Sequence, residues 1–381
     1  MKKRTARLRL SIQNIFLLLI SFSISSACHK KVTTQERIVD YQYKKAIIEG
    51  QKSAIEFLMM SLVPGFSIAV SVDGNMVWSE GIGEASKELG AKVSRHTKFR
   101  IGTSTQMFTA YLIALLQQKG KLNVDSSFYN YIPAFPEKEY DFTPRMLGTF
   151  SAGFPDVRIE RLVKNDSITS LKSYIHYFAE DKLVYKPQTY FVKSDYSIAL
   201  LGIIAEQLTS KPYVKLVREM ILDTLKLTGT TFDFRPSIIE NRSQFYDNDY
   251  IARLIDAPEV DLMPFAPAHG ILSTAEDLNK AAQLVLSPRF FTNKSLELFS
   301  EQNTIEGKPT SRAFGWWIGQ DNKQRKIMAQ FGNTIGGSSS VVVYPDQKLV
   351  VTVCANKGSD VDELPANEIA QIFLKYIDAK E

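Results

Sequence analysis

Thr103 and Gln106 stand three residues apart where a loop feeds a helix. Upstream, Phe99-Arg100-Ile101-Gly102 is an apolar, extended entry that ends in glycine. Downstream, Tyr111, Leu112, Leu115 and Leu116 recur at helical spacing. The start of such a helix directs backbone N–H groups and the positive end of the helix dipole at Thr103. A threonine hydroxyl becomes a nucleophile when a base takes its proton, although its β-methyl group restricts χ1. Gln106, one turn on, can form hydrogen bonds, but a carboxamide does not titrate near neutrality and cannot be that base. General-base catalysis contributes about 10²- to 10⁴-fold, so the route of one proton decides what this segment can do.

Other chemistry-bearing residues are sparse. The four histidines, at 29, 96, 176 and 269, include no pair at metal-ligand spacing, and no motif implies a metal or a cofactor. His269, beside Gly270, reads as structural. Cys354 lies inside the apolar run Leu349–Cys354 and reads as a small core residue. Cys28 follows a basic segment (Lys2, Lys3, Arg4, Arg7, Arg9), an apolar stretch from Ile15 to Ile24, and Ser25-Ser26-Ala27. That order reads as an export leader over residues 1–27 with Cys28 as a lipidated first mature residue. An exported, membrane-anchored envelope protein facing the periplasm is the expectation. The net charge of +5 carries no nucleic-acid signal, because removing the five leader cations leaves 41 basic against 41 acidic residues.

Several elements must position Thr103. Residues 28–45 read as a tether and the start of a helix that continues to Met60, either as one long helix or as one broken at Gly50. Phe66–Val72 and Met76–Trp78 flank Asp73-Gly74, a strong hairpin signal. A helix is expected over about 104–119 and ends at Gly120. The stretch to Asp261 reads as mainly helical, with its clearest helix over 197–208. Ser273 or Thr274 reads as the N-cap of another helix. Strand signals follow at 314–318, 327–331, 339–344 and 349–354, then a helix over 365–377. Of Trp316 and Trp317, strand alternation turns one outward. These elements give an α/β (α+β) fold, an antiparallel sheet built from both chain ends and flanked by helices. The domain would span 46–381, its α/β part about 46–120 and 268–381, with a helical subdomain inserted over about 121–267.

A series of landmarks resembles the β-lactamase-related serine hydrolase and penicillin-binding protein-like (class C β-lactamase-like) family. They include Val63-Pro64-Gly65-Phe66, Phe99-Arg100-Ile101-Gly102, Gly120-Lys121-Leu122, Ser151-Ala152-Gly153-Phe154-Pro155, Leu200-Leu201-Gly202 and Gly270-Ile271-Leu272-Ser273-Thr274-Ala275-Glu276-Asp277. The resemblance implies a cleft with three motifs. Ser-x-x-Lys maps onto Thr103 and Gln106. Tyr-x-Asn maps onto Lys193-Ser194-Asp195. His/Lys-x-Gly maps onto Gln330-Phe331-Gly332, and a family histidine maps onto Phe150. No serine in the chain is followed three positions later by lysine, and Thr169–Lys172 is the single Thr-x-x-Lys, away from every landmark.

The resemblance therefore implies an inherited cleft with changed chemical groups. Backbone N–H groups of Thr103 and Asn333 would form an oxyanion hole, with Phe150 and Gly332 lining the cleft. The leading expectation is a catalytically impaired family member that binds a peptidoglycan-type peptide, a β-lactam-like ligand or a partner protein. The alternative is an esterase- or peptidase-type hydrolase with Thr103 as nucleophile and a desolvated Lys193 as base. Against the alternative, Lys193 and Asp195 read as a surface ion pair that keeps the lysine protonated. A third reading is a structural domain whose cleft is filled by Phe150 and Phe331.

Overall fold

The computed structural model describes residues 36–358 and 364–378. The expected leader, residues 1–27, and Cys28 lie outside the described residues. Asp73 and Gly74 both take positive φ, 50° and 82°, the backbone that a two-residue hairpin loop requires. They join β2 (Gly65–Val72) to β3 (Asn75–Ser86), and β1 (Ile38–Val39) pairs outside β3. The C-terminal part contributes β4 (Arg312–Ala313), β5 (Trp316–Gln320), β6 (Lys326–Thr334), β7 (Gly337–Tyr344) and β8 (Leu349–Ala355). The antiparallel order is β1-β3-β2-β8-β7-β6-β5-β4, so the first hairpin and the last strand meet at the centre.

Strand alternation sends apolar side chains to both faces. In β8, Val350 and Cys354 face one core, while Leu349, Val351, Val353 and Ala355 face the other. The second core is covered by α1 (Lys44–Met60) and by the C-terminal helix Ala366–Asp378. The first core holds α2 (Gln106–Gln118), α3 (Asp195–Thr209) and α4 (Ala275–Ala282). Thr274 is the N-cap of α4, accepting the Asp277 N–H at 3.1 Å. Asn279 fastens α4 to the sheet, donating to the Ala69 and Val350 carbonyls at 3.1 and 3.0 Å.

Two expectations need correction, and one alternative is decided. The N-terminal stretch is not one helix: Ile38–Val39 pairs with the edge of β3, and the helix begins at Lys44. It does not break at Gly50, where a Cβ would meet the Trp78 ring at 3.0 Å; the glycine serves packing. The middle of the chain is less helical than its periodicity suggests. It includes a hairpin, Tyr246–Asn248 with Leu254–Asp256, and Thr231–Phe232 pairs with Ile271–Ser273. Trp316 is buried, while Trp317 packs on the opposite face, as alternation requires.

Candidate active site

Gly102–Thr105 forms one 3₁₀ turn that runs directly into α2. Gly102 holds a φ of +54°, and a Cβ there would come within 2.5 Å of the Asn333 backbone. A Cβ on Gly332 would collide with the Ile101 carbonyl oxygen. These two glycines let the turn lie against β6. That strand pairs with β5 only from Lys326 to Ala329, so the side of Gln330–Thr334 facing the turn is open.

Thr103 occupies the open edge. Its hydroxyl donates to the Phe331 carbonyl at 3.1 Å, and the Asn333 N–H points at Oγ1 from 3.4 Å. Lys193 completes the contact, with Nζ 2.7 Å from Thr103 Oγ1. Lys193 is held just before α3, where the Val192 N–H donates to the Phe150 carbonyl at 3.0 Å. Burial lowers the Lys193 pKa and the Arg312 charge adds to the shift, while Asp195 and Asp156 oppose it.

Asp195 is buried in the first turn of α3, where the helix dipole favours an anion. Its two oxygens are taken by Gln106 Nε2 at 3.2 Å and His269 Nε2 at 2.7 Å. Burial alone would push its carboxyl up. His269, then Lys193 and Gln106, outweigh that effect and hold the pKa below its ordinary value. The expected Lys193–Asp195 surface ion pair is therefore not what forms: Asp195 is buried on Gln106 and His269, and the lysine amine reaches Thr103.

The structure brings Thr103, Gln106, Lys193, Asp195 and Asn333 into one cluster, with Gly332 as its point of close approach. Gln106 turns to Asp195 rather than to Thr103. Gln330 is buried, its amide nitrogen donating to the Gly315 carbonyl. Phe150 is buried with a φ of +61°. Phe331 does not fill the cleft, because strand alternation turns its ring to the opposite face, against Trp317 at 6.3 Å. There it borders a groove of about 480 Å³ shared with Asn367 and Gln371 of the C-terminal helix, away from Thr103. Sequence reasoning passed over Arg312, which carries no motif and whose charge acts on Lys193. His269, read as structural, is buried and contacts Asp195 through Nε2 at 2.7 Å.

Comparison with known proteins agrees with this arrangement. The beta-lactamase family profile matches residues 54–374. Protein flp of Staphylococcus aureus is 27% identical over 311 residues, covering 78% of this chain and 60% of that protein. The chain thus spans less than two thirds of that relative. The human mitochondrial serine beta-lactamase-like protein LACTB is 25% identical, covering 74% of this chain and 69% of its own length. Among solved structures, the octameric penicillin-binding protein homologue of Pyrococcus abyssi superposes with a TM-score of 0.76 at 22% identity, over 87% of this chain and 77% of that one. The D-amino acid amidase of Ochrobactrum anthropi SV3, complexed with L-phenylalanine amide, gives 0.77 at 18% identity, over 88% and 99%. With the antiparallel sheet, the close-approach glycines and the hydroxyl at the head of α2, these matches show that the chain belongs to the beta-lactamase family.

Proposed function

We propose that the protein is an acyl hydrolase of the esterase or amidase type, with Thr103 as nucleophile and Lys193 as general base. The observation that carries this reading is the 2.7 Å contact between Lys193 Nζ and Thr103 Oγ1. That distance is within the reach of proton transfer, and the desolvated amine is biased toward its neutral form. Neutral Lys193 takes the hydroxyl proton as Oγ1 attacks the acyl carbon. The resulting ammonium protonates the leaving group, and water then releases the acyl-enzyme by the same route in reverse. The Asn333 N–H, aimed into the site, supports an oxyanion donor. The leader and Cys28 support export and attachment to the cell envelope.

Turnover of a small activated ester such as p-nitrophenyl acetate tests the reading. Thr103→Ala is expected to abolish it, and Lys193→Met to lower it by about 10²- to 10⁴-fold. Wild-type rates should rise with pH on an ascending limb below the ordinary lysine value of about 10.4. Activity that survives both substitutions rejects the reading. A second reading, a cleft that binds without turnover, is favoured by the two carboxamides, Gln106 and Gln330, which are both engaged with protein groups and do not titrate. A purified wild type that binds an acyl ligand and never acylates would establish it.

A further inference from the structure

The groove beside Phe331 lies on the side of the sheet away from Thr103, where β5 and β6 meet the C-terminal helix. Its floor is apolar and buried: Ile327 and Ala329 of β6, and Val342 of β7. Two rings stand over that floor. Phe331 is 45% exposed, and Trp317 meets it edge to face with the ring planes 68° apart. Gly319 sets the indole. It lies two residues on, on the same face of β5, and a Cβ there would collide with the Trp317 ring. The glycine thus lets the indole lie along the strand. Leaving two aromatic side chains partly in water forgoes burial that each could supply, and it leaves an open aromatic corner for a ligand to cover.

The rim supplies polar groups without charge. The carboxamides of Gln320, Asn322 and Asn367 are exposed and hydrogen-bond to no other described residue. Each offers both donors and an acceptor. Gln371 is already engaged, its Oε1 accepting from Arg325 at 3.0 Å and its amide donating to the Tyr344 hydroxyl. The carboxylate of the lining, Asp321, is balanced within the fold. Arg325 reaches it at 2.6 Å, and the Lys323 and Arg325 backbone N–H groups donate to it at 2.9 and 3.0 Å. The lining therefore carries apolar faces and free amides but no unbalanced charge. Its volume of about 480 Å³ falls within the range of small-molecule sites, about 300–1,000 Å³.

We propose that this groove is a binding site for neutral saccharides, N-acetylated amino sugars in particular. A pyranose has an apolar C–H face, which the electron-rich face of an aromatic ring accepts. Its hydroxyls lie around the equator, where the free carboxamides can both donate and accept. An acetamido group adds a methyl for Ile327 and Val342 and an amide for the rim. The steeply angled corner suits a puckered ring, whereas a flat nucleobase is best held between parallel faces. The inference stands apart from the hydrolase reading, because the groove and Thr103 lie on opposite sides of β6.

N,N′-diacetylchitobiose is the probe, titrated into the full chain carrying ¹⁵N-labelled tryptophan. Trp78 and Trp316 are buried, so a saturable shift is expected to be largest at the Trp317 indole N–H. By calorimetry, Trp317→Ala should weaken binding about 3- to 10-fold, and Asn322→Ala combined with Asn367→Ala by a similar factor. Thermal melts confirm folding, and the two asparagines are exposed, so their variant keeps the test open where Trp317→Ala does not fold. Adenosine and unacetylated, cationic chitobiose should each bind several-fold more weakly than the probe. No saturable binding of the probe, unchanged affinity in the folded variants, or adenosine binding as tightly as the probe each overturns the proposal. A chain that binds the disaccharide and hydrolyses no ester keeps the saccharide site and removes the hydrolase reading; ester turnover without saccharide binding does the reverse.

Discussion

At the scale of single residues, the site is a redistribution of charge. The cation that the family motif places one turn after the nucleophile has become the neutral Gln106, and a lysine enters from position 193 to reach the same hydroxyl. Asp195 is the counterweight, because its negative charge raises the Lys193 pKa against the effect of burial. Asp195→Asn is therefore expected to move the ascending limb of the pH–rate profile to lower pH, which steady-state rates across pH would show. Its effect on stability has a definite sign. A carboxyl whose folded pKa is depressed stabilises the fold above its ordinary range, about 3.9 for aspartate. That stabilisation is lost as pH falls through the folded value. Wild type should thus lose more stability than Asp195→Asn between neutral and acid pH. Lys193 acts in the same sense at higher pH: with its folded pKa lowered, it too makes stability rise with pH, between that value and about 10.4.

At the scale of elements, the close contact between the 3₁₀ turn and β6 depends on glycines without Cβ atoms. Gly332→Ala places a methyl group against the Ile101 carbonyl and the Ser339 and Ser104 hydroxyls. Overpacking of this kind costs about 1–3 kcal/mol. Because it also separates Thr103 from the Phe331 carbonyl, melting temperature and ester turnover should fall together. This layer of the molecule was partly legible in the sequence. The Asp73-Gly74 hairpin, the α2 stop at Gly120, the Thr274 cap and the C-terminal strands follow from local turn chemistry and period-2 patterning, which one segment carries alone. Residues 38–39 were misread because strand pairing at a sheet edge depends on a partner distant in sequence. Thr103 and Lys193 were legible as a nucleophile–base pair, but only as the alternative to a Lys193–Asp195 ion pair, because the diversion of Asp195 to Gln106 and His269 joins elements distant in sequence. Arg312 was not legible, because it carries no motif and reaches Lys193 only through packing on Phe150 and Phe191.

At the scale of the whole molecule, the two helix layers divide the work. The layer of α1 and the C-terminal helix contributes nothing to the Thr103 cluster; it seals the far face. Phe373 is fully buried there, stacked on Trp78 with ring centroids 6.3 Å apart and on Tyr43 at 6.0 Å. Phe373→Ala should lower stability by about 3–5 kcal/mol, measured by urea unfolding, while the folded fraction keeps its specific activity. The sheet between the layers closes only when β8 docks between β2 and β7. On a ribosome, β2 and β3 emerge well before β8, so the first hairpin waits with a bare inner edge, a template for pairing with other chains. Asn333 and Phe331 are also unmade at that stage, which leaves Thr103 no strand to lean on. A nascent chain is therefore chemically silent until the strands from β6 to β8 have been made and docked.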